Sequence, residues 1–98
     1  MDALRFTWDE RKNIANQRKH GVAFEEAQTA FLDVNAKLYF DPDHSEDEDR
    51  FILLGLSLPL RVLVVCHCYR EAEAVVRIFS ARMADKIESE DYWTDLES

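Results

Sequence analysis

The chain has 98 residues, 47% of them hydrophobic and 11% aromatic, which suits one domain with its own core and not two. No apolar run approaches the roughly 18 residues of a membrane span. The opening MDALRFTWDE lacks the apolar heart of a signal peptide, so a cytoplasmic protein without membrane contact is expected. The formal net charge of −8 argues against long-range attraction of a polyanion, yet it is unevenly spread. Residues 41–50 and 85–98 hold 12 of the 20 acids and 2 of the 12 bases, whereas residues 1–20 carry five bases against three acids.

Phe6-Thr7-Trp8 reads as a short strand or strand end, with Asp9 as the N-cap of a helix over Glu10 to His20. Gly21 is a good residue to close it, since the position past a helix C-terminus favours a left-handed backbone. A second helix is predicted from Ala23 to about Leu32, with Phe24, Ala27 and Phe31 on one stripe and Glu25 and Glu26 in the first turn. The pattern then becomes extended. Lys37 to Phe40 is short and stops at Asp41-Pro42, and the acidic loop 41–50 follows. Arg50 to Leu56, Leu60 to Tyr69 and Ala74 to Ser80 are rich in Val, Ile, Leu and Phe, as strands are. Their short connections imply antiparallel neighbours. A final helix from Ala81 to about Trp93 ends in a frayed acidic tail, about residues 94–98. The expected fold is a single α+β domain over 1–98: a meander sheet of about four strands, with two N-terminal helices and one C-terminal helix packed on one face.

Several residues could carry chemistry. Arg70, Arg77 and Arg82 fall at the end of one strand, within the next and just past it, so they could line a sheet face at about 10–20 Å spacing. Arginine forks grip phosphate bidentately and stabilise developing charge; salt bridges to Glu71, Glu73 or the acidic loop are the competing explanation. Lys19 and His20 sit at a helix C-terminus, where the dipole favours both as cations, and an imidazole there could also move a proton. His67, in an apolar strand, reads better as a core histidine. His44 reads as a solvated loop residue. Cys66 and Cys68 would lie about 7 Å apart on one strand, too far apart for an ordinary disulfide. With no second Cys/His pair following, no zinc site is expected. The loop from Asp41 imitates the start of a calcium loop, but Glu46 replaces the required glycine and Ile52 the bidentate Glu, so that site is rejected. No cofactor is expected.

The string FTWDERKNIANQRKHGVAFEEAQTAFLD resembles the opening of the BrnT toxin family through Trp8, Asp9, Lys12, Asn16, Lys19, His20, Gly21, Val22, Phe24, Glu25, Glu26 and Ala27. The later DPDHSEDEDRFILLGLS, LVVCHCYR and VRIFSAR segments are similar to the family too. The resemblance implies a RelE-like fold and a growth-arresting endoribonuclease of a type II toxin–antitoxin system. It also implies a BrnA-like ribbon-helix-helix antitoxin as partner, with operator DNA reached only through that antitoxin. The assemblies it leaves open are a homodimer and a heterotetramer with the antitoxin. Cleavage would be metal-independent, by attack of the ribose 2′-OH on the adjacent phosphate. Arg70, Arg77 and Arg82 are its active-face candidates, Lys19 and His20 its motif residues, and His20 or His67 its acid or base. The alternative from the acidic balance is a non-catalytic module that binds the antitoxin and tunes its autorepression.

Overall fold

The computed structural model describes residues 4–97, apart from the side chains of Asp95 and Glu97. Strand β1 (Arg5–Thr7) leads into helix α1 (Glu10–His20). The Asp9 carboxylate caps α1 by accepting from the Arg11 N–H at 2.8 Å. Gly21, at φ 69°, closes the helix with its N–H on the Gln17 carbonyl at 2.9 Å, as the sequence predicts.

The predicted second helix is shorter than expected. Phe24–Ala27 is α-helical (α2), and Gln28–Leu32 tightens into a 3-10 turn. Strands β2 (Lys37–Phe40), β3 (Arg50–Leu56), β4 (Val62–Arg70) and β5 (Val75–Met83) follow, then helix α3 (Lys86–Glu97). Where a frayed tail was expected, α3 continues to Glu97; Ser98 lies outside the described residues.

Among the described residues the sheet has five strands in the order β1-β5-β4-β3-β2. β2 to β5 form the expected antiparallel meander. The expectation of about four antiparallel strands is corrected by β1, which pairs parallel to β5 from Arg5 opposite Val75 to Thr7 opposite Arg77.

Helices also cover both faces rather than one. On the first face Val22, Phe24, Ala27 and Ala30 close over Leu53, Leu63, Val65, Val76 and Ile78. Gly55 lets the 3-10 turn approach the sheet: a Cβ there would stand 3.0 Å from the Ala30 carbonyl oxygen and 3.1 Å from the Ala36 Cβ. On the second face α3 buries Tyr92 against Leu54, Val62 and Val64. The Tyr92 hydroxyl donates to Asp33 at 2.5 Å, and that same carboxylate accepts the Leu56 N–H at 2.8 Å. Lys37 and Tyr39 hold α3 further through Asp91.

α1 is not held by an apolar stripe. Its buried residues are Asn13 and Asn16, while Ile14 is 45% exposed. Asn16 donates to the Val22 and Ala81 carbonyls and accepts from the Ala81 N–H, so it continues the free edge of β5 beyond the end of β1. Asn13 accepts the Phe24 N–H at 2.9 Å, capping α2 from a neighbouring helix. Burying polar groups is tolerable here because each is fully hydrogen-bonded.

Candidate active site on the open half of the sheet

The second face is covered by α3 at one end and open at the other. What the open half displays is decided by an irregularity in β5. Strict alternation would put Arg77 on one face and Ser80 and Arg82 on the other. Instead His67 pairs with Ile78 and Cys66 with Ser80, leaving Phe79 as an extra residue in a β-bulge. The bulge resets the parity, so Arg77, Ser80 and Arg82 share the open side, and Ala81 turns into the core.

Three rows result. Arg50, Cys68 and Arg77 stand in the first, Ile52, Cys66 and Ser80 in the second, Leu54, Val64 and Arg82 in the third. The third belongs to α3, and Arg82 is clamped there. Its guanidinium donates to both Glu88 oxygens at 2.7 and 2.8 Å. This pair, with a backbone bond from Asp85, holds the Glu88 carboxyl down at about 2. The first row is different. Arg77 is half-buried and has no ion-pair partner among the described residues. Arg50 lies over the Phe79 ring, its Cζ 4.0 Å from the ring centroid, a cation–π contact.

Around that stack is a cleft of about 300 Å³ lined by Lys12, Asp41, His44, Arg50, Cys66, Phe79 and Ser80. Lys12 reaches it from α1, its Nζ 5.5 Å from the Phe79 centroid. His44 reaches it from the acidic loop, whose base is ordered. The Asp41 N–H donates to the Arg50 carbonyl at 2.8 Å. Ser45 Oγ donates to the Asp41 carbonyl and accepts the Arg50 N–H. The Asp41 carboxylate, nearly buried, accepts from the Asp43 N–H at 3.2 Å and from His44 Nδ1 at 2.8 Å.

Glu48 closes the turn end of this face. It lies 3.2 Å from Arg70 Nη2 and 3.8 Å from Arg50 Nη2. Burial first, then the Glu48 charge, pushes the Cys68 thiol above its ordinary value, so Cys68 is an inert filler between the arginines.

The sequence-predicted residues divide accordingly. Arg70 and Arg77 lie on the open half with Arg50, and Arg82 lies on the same face under α3. His67 is corrected: it is fully buried on the helix-covered face, ringed by Phe31, Phe51 and Tyr69. Its Nδ1 donates to the Val65 carbonyl and its Nε2 faces the Tyr69 hydroxyl. Burial lowers its pKa, so it stays neutral and cannot meet a substrate on the open side. Lys19 and His20 stand at the C-terminus of α1, about 10–12 Å along the helix from Lys12. That end is tied by the Gly21 carbonyl to Arg61. Lys12, Arg50, Phe79 and the His44–Asp41 pair were not among the sequence candidates.

Among the described residues, no group of three or more His, Cys, Asp or Glu side chains is placed to hold a metal ion. No described helix is long and apolar enough to cross a membrane.

Comparison with known proteins agrees with this architecture. No curated protein sequence matches the chain. The 1.1 Å crystal structure of the Brucella abortus ribonuclease toxin BrnT superposes with a TM-score of 0.65 at 22% identity. The match covers 86% of this chain and all of that one, a likeness of fold. The family model described as "Ribonuclease toxin, BrnT, of type II toxin-antitoxin system" matches residues 8–88. That span runs from the Trp8 and Asp9 start of α1 to the Glu88 that clamps Arg82, and the chain belongs to the BrnT family of ribonuclease toxins of type II toxin–antitoxin systems.

Proposed function

We propose that the open half of the sheet is an RNA-cleaving site that works without a metal. A ribose 2′-oxygen attacks the adjacent phosphorus, and the charge gathering on the phosphate oxygens is met by guanidinium and ammonium groups. The observation that carries this reading is the first row. Arg50 and Arg77 flank Cys68, so their Cα atoms are about 10 Å apart from the strand spacing, beside the cleft that Lys12 enters. Two forks at that distance can hold one phosphate or two neighbouring ones. Arg70, at the hairpin end, would be an outer contact. Arg82, engaged by Glu88, contributes mainly to the scaffold, and Lys19 and His20 enter only as flanking cations.

The partner in this reading is a BrnA-like ribbon-helix-helix antitoxin that silences the site, with operator DNA reached through it. One observation favours the non-catalytic alternative. Glu48 already occupies the space between Arg50 and Arg70 where a phosphate would sit.

The two readings separate in one experiment. Antitoxin-free protein is incubated in EDTA with a defined RNA and with the same RNA carrying a single 2′-deoxy nucleotide at the cut site. Cleavage of the first, leaving a 2′,3′-cyclic phosphate, and protection of the second is the expected result. Intact RNA from folded protein would leave the binding module as the better account.

A further inference from the structure

We propose that His44, oriented by Asp41, is the general base of the cleft. This rests on the reading of the open face as an RNA-cleaving site and names the group that starts the reaction there.

The geometry gives the imidazole one defined proton position. A carboxylate can only accept, so the 2.8 Å contact places a proton on Nδ1, and in the neutral imidazole the lone pair is then on Nε2. Nε2 has no hydrogen-bond partner among the described residues, and the side chain is 68% exposed. A cap alone does not account for Asp41. One of its oxygens serves the Asp43 N–H as a turn requires, and the other is committed to His44. The carboxylate is itself shielded, its side chain 9% exposed, so the imidazole is anchored on a buried acceptor. The loop that carries it is stapled at its base to the first residue of β3, which is Arg50. Base and phosphate-binding fork are therefore positioned by the same hydrogen bonds.

In the step proposed, His44 Nε2 takes the 2′-OH proton as the O2′–P bond forms and the P–O5′ bond breaks. The departing 5′-oxygen takes a proton from water, and the hydroxide left behind takes the proton from Nε2, which returns His44 to its starting form. Arg50, stacked on Phe79, and Lys12 bind the phosphate; Phe79 and Asp41 are positioning residues.

The test is cleavage of the defined RNA by wild type, His44→Ala and Asp41→Asn. The His44→Ala variant should cut about 10²–10⁴-fold more slowly, bind a non-cleavable 2′-deoxy analogue within about twofold of wild type, and regain activity with added imidazole. Asp41→Asn should lower kcat while keeping KM, because an amide facing Nδ1 favours the wrong tautomer. Cleavage by His44→Ala at the wild-type rate, or a loss that imidazole does not relieve in a folded variant, would overturn the assignment. Wild-type protein that leaves the RNA intact would instead overturn the ribonuclease reading beneath it.

Discussion

The assignment of Arg82 to the scaffold can be tested through Glu88. Replacing Glu88 by Gln removes the charge but keeps an oxygen to accept the Asp85 N–H, so the reciprocal cap that starts α3 survives. Depressing a carboxyl from 4.5 to about 2 corresponds to an upper bound of about 3.4 kcal/mol. The Arg82 side chain is 42% exposed and that of Glu88 29%, so solvent screening reduces the figure to about 1–2 kcal/mol. The sign is fixed by the direction of the shift. A carboxyl whose folded pKa is depressed stabilises fully above its unfolded value near 4.5, and the contribution fades as pH falls toward 2. Urea unfolding of wild type and Glu88→Gln at pH 7 and at pH 2.5 measures this. The variant should be about 1–2 kcal/mol less stable at pH 7, with most of the difference gone at pH 2.5. His67, whose lowered pKa also weakens the fold below pH 6.5, acts equally on both proteins and cancels. An equal loss at both pH values, or none at pH 7, would refute the clamp and return Arg82 to the groups available for RNA.

Three further outcomes follow from the packing and charge. Gly55→Ala should cost about 1–3 kcal/mol in chemical unfolding, because the new methyl meets the Ala30 carbonyl oxygen at 3.0 Å and the Ala36 Cβ at 3.1 Å. Glu48→Gln should tighten binding of a non-cleavable RNA analogue about threefold or more at low salt by freeing Arg50 and Arg70, and the gain should shrink as salt rises. Tyr92→Phe should lose about 1.5–3 kcal/mol at pH 7 through the missing bond to the Asp33 carboxylate. Because burial and then the Asp33 carboxylate raise the Tyr92 phenol to about 12, that deficit should narrow as pH climbs from 10 toward 12.

Much of this fold was legible because its signals are local. Asp9 and Gly21 bracket α1 by capping chemistry alone, and β2 to β4 announce themselves by composition. The motif shared with the BrnT family is largely architecture: Asn16 pairs with the β5 edge, Val22, Phe24 and Ala27 fill the core, and Glu26 forks onto Arg61. What was not legible is non-local or depends on one inserted residue. β1 is three residues long and its partner lies about 70 residues away, so no short-range pattern marks the pairing. The bulge at Phe79 leaves no trace in VVRIFSARM, whose apolar residues suit either parity, yet it decides which arginines share a face.

The late start of α3 did carry a signal. Asp85 and Glu88 form a reciprocal cap, which places Arg82 and Met83 in the preceding strand. His44 was hidden by its company. In a run of acids a lone imidazole reads as solvated, and only the turn at Pro42 brings Asp41 back onto it.

The most direct test of the central claim is cleavage of total RNA in EDTA by antitoxin-free wild type beside an Arg50→Ala/Arg77→Ala variant shown by circular dichroism to be folded. Wild type should cut the RNA and the variant should cut at least about 10²-fold more slowly, as expected when groups that stabilise phosphate charge are removed. Undiminished cutting by the folded variant would contradict that claim, and so would RNA left whole by the wild type.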